Sequence, residues 1–174
     1  MQKIPTLFVR DESQRGHPVT STVKPECQWV LDGEGIATRK LDGANVKIED
    51  GQLLKRQKPK ERAYDEAAYV PCRREEPADR WFWDAYDASQ PLTDGIYEAV
   101  GPKIQRNEPW PGHFLMRVAP PDPTLTLTDA PRTFDGLRDW LAAHTFEGLV
   151  FHHPDGRKAK IKRRDYGLSW PIQR

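Results

Sequence analysis

The sequence predicts an α+β fold, two mostly antiparallel sheets with flanking helices, and three observations carry that prediction. Short segments of alternating apolar and polar residues, bounded by glycine, cluster at both ends of the chain, as half-buried antiparallel strands do. Helical periodicity is confined to two short stretches between them. Twelve glycines and sixteen prolines in 174 residues favour turns and short connections over the long helices of a bundle.

The first 25 residues show little periodicity and read as an irregular lead-in. Residues 27–32, 35–40, 43–50 and 52–57 read as strands, with bends at Gly33, Gly35, Gly43 and the hairpin pair Asp50–Gly51. Over 43–50, Ala44, Val46 and Ile48 alternate with Asn45, Lys47 and Glu49, so one face is apolar. From Lys58 to Gln90 the chain is charged and rich in breakers. One helix is expected there over 78–89, its apolar face made by Trp81, Trp83 (or Phe82), Ala85 and Tyr86. Strands follow over 94–101 and 113–118. A second helix covers 133–144, capped by Thr133, with Phe134, Leu137, Trp140 and Leu141 along one side. A hairpin closes the chain: 147–153, a turn at His153–Gly156, then 157–164.

At 20.0 kDa, 37% hydrophobic and 30% charged, the chain fits a single domain over residues 1–174. Lys plus Arg number 27 and Asp plus Glu 26, a net +1, so only the distribution of charge bears on nucleic acid. There is no run of 18 apolar residues and therefore no transmembrane helix; no membrane partner is expected. The N-terminus meets charge within three residues, unlike a secretory signal. Cys27 and Cys72 form neither a C-x-x-C pair nor a disulfide framework. The expected setting is cytoplasmic.

Four groups of residues carry chemistry. Lys40-Leu41-Asp42-Gly43 places an amine beside a turn with a carboxylate two residues on; alone it is also a surface hairpin with an exposed lysine. Tyr97 to Gly101 sets Glu98 among apolar neighbours, either inward and paired or facing water. Glu147 to Phe151 joins an acid and a glycine to an apolar strand, which by itself reads as a helix-to-strand turn. Lys160-Ile161-Lys162 aims two ammonium groups to one side of a strand, and six of the eight residues from Arg157 to Arg164 are basic. Such a strand is commonly a solvated edge protected by lysine.

In this order the pieces resemble the covalent lysine nucleotidyltransferase superfamily of ATP-dependent RNA and DNA ligases and capping enzymes. The likeness spans about residues 30 to 167 and is closest to small 5′–3′ RNA ligases, on the stretches YEAVGPKIQRN, EGLVFHHPDG and KIKRRDYG. It implies a nucleotide cleft between the two sheets, with Lys40 as nucleophile and Lys160 and Lys162 on the α-phosphate. Arg56, Arg39, Glu98, Val150 and Phe114 (or Trp110) are implied on the nucleotide: Glu98 at a ribose hydroxyl, Val150 and the aromatic on the adenine. Glu147 and Asp42 are implied to hold the waters of Mg²⁺ or Mn²⁺. The implied reaction joins RNA 5′-phosphate and 3′-hydroxyl ends through lysyl-AMP, with ATP as donor. DNA nick sealing, capping-like transfer and a non-catalytic nucleotide- or RNA-binding scaffold are the alternatives. Only 12 residues follow Lys162, too few for a C-terminal OB-fold, so an accessory subunit or a structured RNA is expected to supply grip.

A free lysine has a pKa of about 10.4, so only about one in 2,500 is neutral at pH 7. Surrounding Lys40 with Arg56, Lys160 and Lys162 is expected to disfavour its ammonium form. Lys55, Lys58, Lys60 and Arg62 are candidate RNA-phosphate contacts or a solvated face. Trp81 and Trp83 are expected to pack as core rather than as base platforms. His152 and His153, being adjacent, suit a turn or a phosphate contact rather than a zinc site.

Overall fold

A computed structural model describes residues 4–57 and 68–172. The chain divides into two compact units, one formed by Ile4–Leu41 with Pro123–Arg174 and the other by Asp42–Asp122. It passes between them at Leu41/Asp42 and at Asp122/Pro123, where no Gly- or Ser-rich linker marks the passage.

The first unit holds a four-stranded sheet. Its strands are β3 (Ile36–Lys40), β9 (Thr126–Leu127), β10 (Gly148–His152) and β11 (Lys158–Lys162), in the order β11-β10-β3-β9. All pairings are antiparallel. Alternation sends Ala37, Leu149, Phe151, Ala159 and Ile161 to one face, where each is at most 1% exposed. Helix α3 (Phe134–Ala143) buries Leu137 and Leu141 in this core. Thr133 caps its start, accepting from the Gly136 N–H at 3.2 Å. Its last carbonyls are met by Arg163, whose Nη1 donates to Leu141 O and, at 2.7 Å, to His144 O. A small hairpin, β1 (Phe8–Arg10) with β2 (Val19–Val23), completes the unit.

The second unit holds a five-stranded antiparallel sheet. Its members are β4 (Ala44–Glu49), β5 (Gln52–Arg56), β6 (Tyr69–Pro71), β7 (Gly95–Val100) and β8 (Phe114–Ala119), in the order β6-β5-β4-β7-β8. Val46, Ile48, Leu53, Tyr97, Ala99 and Leu115 form its apolar face, covered by helix α2 (Arg80–Ala88) through Ala85 with Trp81, Phe82, Trp83 and Tyr86. Asp79, 1% exposed, accepts from Lys55 and from the Arg73 N–H at 2.9 Å, which compensates a charge placed at the helix start.

Several expectations are corrected. Residues 27–32, expected as a strand, are not one: a 3₁₀ turn, Pro25–Cys27, leads into the short helix α1 (Gln28–Leu31). Pro25 pre-sets the helical φ, and Cys27, Trp29 and Val30 turn inward together. The lead-in is partly ordered as β1 and β2, because Phe8 and Val19 join the core. Strand β11 is not an open edge: Leu7 N donates to Lys160 O at 2.8 Å and Lys160 N to Pro5 O at 2.9 Å. The described residues form three sheets rather than two. Lys58, Lys60 and Arg62 lie outside the described residues. Among the described residues no helix is long and apolar enough to cross a membrane.

Candidate functional site

Strand β3 ends at Lys40 where β10 begins at Gly148 and β11 ends at Lys162. Gly148 pairs with Lys40 on one side and Lys162 on the other, so three cross-strand neighbours form one row. Cross-strand partners share a face, and glycine puts no side chain between the two lysines. A Cβ there would also lie 2.2 Å from Ile161 O, so no larger residue fits without moving β11. The next row on that face is Thr38, Val150 and Lys160, and the third is Ile36, His152 and Lys158. The face opposite the core therefore carries four lysines.

The Lys40 ammonium donates to Glu147 Oε2 and, at 3.4 Å, to Leu41 O; the two charged side chains are 24% and 12% exposed. Lys162 is set by backbone: its N–H donates to Asp165 Oδ2 at 2.8 Å, and Asp165, 2% exposed, also binds Arg10. In the third row, burial first and the neighbouring Lys158 charge second push the His152 imidazole down to about 4, so it is neutral near pH 7. Its Nε2 lies 3.0 Å from the Thr38 hydroxyl, itself 3.2 Å from Val150 O. Burial also lowers the Lys158 pKa. His153 instead lies between Glu34 (2.7 Å) and Asp155 (2.8 Å) at the hairpin turn.

In the five-stranded unit the polar face gathers Glu98, Arg56 and Phe114. Glu98 pairs with Asn45 and Met116, Val100 with Phe114, and Arg56 with Tyr69. The Tyr69 hydroxyl donates to Asn45 Oδ1 at 2.5 Å; burial raises its pKa, opposed by Arg56 and reinforced by Glu98. Gly43 closes against this row, for a Cβ there would be 2.3 Å from Ala99 O and 2.8 Å from Glu98 Cγ. Asp42 accepts from Asn107 Nδ2 at 2.5 Å, and Gln105 Nε2 donates to Gly43 O at 3.3 Å. Trp110 lies in the proline-rich connection between β7 and β8.

The structure thus brings Lys40, Glu147, Val150, Lys160 and Lys162 to one sheet face, and Arg56, Glu98 and Phe114 to one face of the other sheet. Arg39 is not brought to the lysine face: strand alternation sends it to the opposite side, where its guanidinium carbon lies 4.6 Å from the Phe146 ring centre. Thr38 and Lys158 share this face but were not singled out, although their even spacing from Lys40 and Lys160 was a usable signal; of the two histidines read as turn or phosphate contacts, His152 lies on this face and His153 at the turn. Asn107 and Gln105 had no local signal, because they reach Asp42 and Gly43 from some 60 residues away. Among the described residues no group of three or more His, Cys, Asp or Glu is placed to hold a metal ion. Searches against known proteins return no matching family model and no matching curated protein.

Proposed function

We propose that the chain is an ATP-dependent polynucleotide ligase of the lysine nucleotidyltransferase type, acting on RNA ends. One observation carries the reading: Lys40 and Lys162 flank Gly148 in a single row, with Lys160 one row behind and Glu147 bonded to the Lys40 amine. An amine held beside further cations on one face suits attack on a phosphate, since fixed positive charge offsets what builds up on the phosphate oxygens.

In this reaction the Lys40 amine attacks the α-phosphorus of ATP, a P–N bond forms, and the P–O bond to pyrophosphate breaks. The proton that the ammonium must give up first lies toward Glu147 Oε2. Lys160 and Lys162 face the same side and hold the phosphate. The AMP then passes to a 5′-phosphate, and a 3′-hydroxyl displaces it. Glu98, Arg56 and Phe114 are the ribose- and base-contacting candidates by resemblance. By resemblance, Glu147 and Asp42 would each be a carboxylate available to the waters of a divalent cation such as Mg²⁺ or Mn²⁺, which takes oxygen ligands and keeps several waters. When bound it would supply charge neutralisation on the triphosphate.

The test is incubation with α-labelled ATP or GTP and a divalent metal. Acid-labile label on the chain from ATP, absent in Lys40→Ala, is expected. Label from GTP instead points to capping-like transfer. Nucleotide binding with no label points to a non-catalytic module.

A further inference from the structure

The residues immediately before each half of the ion pair also meet. Arg39 precedes Lys40 and Phe146 precedes Glu147, and the guanidinium stacks over the ring at 4.6 Å. Arg39 and Lys40, successive residues of β3, leave on opposite faces. The same two short stretches are therefore joined twice, by an ion pair on one side of the sheet and a cation–π contact on the other.

Glu147 lies in the connection between the end of α3 at Ala143 and the start of β10 at Gly148. The Arg163 N–H holds its carbonyl at 2.9 Å, which does not set the carboxylate's direction. Phe146 is held more firmly. Its ring centre is 5.6 Å from His144 and 5.9 Å from Trp140, and those two rings stack at 3.7 Å. Trp140 is anchored in turn by its indole N–H, which donates to Asp129 Oδ2 at 3.1 Å. The line Trp140–His144–Phe146–Arg39 runs from α3 to the residue before the nucleophile.

We propose that Arg39 and Phe146 are positioning residues: their stack fixes the register of 146–147 against 39–40, so that the Glu147 carboxylate meets the Lys40 amine. Arg39 on this account touches no nucleotide. Its effect on rate rests on the nucleotidyltransfer reading, whereas its effect on the ion pair does not.

The two are separated by competitive acetylation with trace acetic anhydride on the full chain, read by mass spectrometry, with exposed Lys103 as internal standard. Phe146→Leu, Arg39→Gln and the reference variant Glu147→Gln are each expected to raise Lys40 reactivity several-fold relative to Lys103, while Phe146→Tyr, which keeps a ring face, is expected to leave it at the original value. Protection of the Cys27 thiol, buried in the same core, confirms that each variant is folded. With ATP, the same two variants are expected to slow label formation about tenfold at unchanged KM. Unchanged Lys40 reactivity in both variants, where Glu147→Gln changes it, overturns the positioning role. An unlabelled wild-type chain overturns the ligase reading and leaves the acetylation result to decide this one.

Discussion

The two sheets solve the same problem with opposite chemistry. Each buries one face and leaves the other polar, and each carries a glycine where that polar face is tightest. In the four-stranded sheet, Gly148 separates Lys40 and Lys162, and the half-buried rows on that face hold cations. In the five-stranded sheet, Gly43 closes on Ala99 and Glu98, and the polar face mixes Glu98, Asn45, Tyr69 and Arg56, groups that donate or accept directional hydrogen bonds. One face concentrates charge; the other gathers directional hydrogen-bonding groups. The supports differ in the same way, for Asp165 sets Lys162 through its backbone, whereas Asp79 compensates Lys55 within the apolar layer.

That contrast breaks most visibly at the level of rate. Lys160→Ala or Lys162→Ala is expected to slow label formation by about 10²–10³-fold, the range for removing one preorganised charge-stabilising group. Glu98→Ala is expected to cost only about tenfold, chiefly in KM, as a contact made before and during reaction does. Equal losses from both faces would erase the division between them. Single-turnover labelling measures both.

Next comes Gly148→Ala, in which a new Cβ meets backbone at 2.2 Å rather than a flexible side chain. A loss of about 3 kcal/mol is expected, measured by denaturant unfolding.

The units carry one buried thiol each, and these sharpen the comparison. Burial raises Cys27 to about 11 and Cys72 to about 12, so both are protected until their core opens. Asp79→Ala leaves Lys55 in the apolar layer with no partner from that residue and is expected to cost about 2 kcal/mol. Thiol-exchange rates in single-cysteine variants should rise more at Cys72, in the same core as Asp79's neighbours, than at Cys27. An equal rise at both thiols would mean that the two cores open as one.

The smallest effect is a slope with pH. His152 titrates near 4 when folded and near 6.5 when unfolded. As pH falls from about 6.5 to 4, the unfolded chain takes up the proton and the folded chain does not, so stability declines across that window and levels off below it. The loss is at most about 2 kcal/mol, allowing for the ring's partial contact with water. His152→Gln should flatten that part of the stability profile, read from denaturation midpoints.

Much of this could be read without coordinates, and the reasons are local. Alternation in 43–50 placed β4, the Asp50–Gly51 pair placed its hairpin, and Thr133 with Phe134, Leu137 and Leu141 placed α3, because turn chemistry and periodicity act within a few residues. The stretch 27–32 misled for a local reason too. Its apolar residues satisfy a strand pattern, but Pro25 and the inward Cys27, Trp29 and Val30 favour a helical turn once a core exists to receive them. Strands β6 and β9 carry weak patterns and are strands only because neighbours supply hydrogen bonds.

By itself the sequence determined, through the two-residue period of a strand, that Lys160 and Lys162 share a face. Tertiary structure alone decided which strands lie side by side. It put Gly148 between Lys40 and Lys162, bonded Glu147 to Lys40 across 107 residues of chain, and stacked Arg39 on Phe146. Periodicity is a property of the backbone's own geometry and is written locally. Register between distant strands is settled by burying several apolar faces at once, and no single segment encodes that sum.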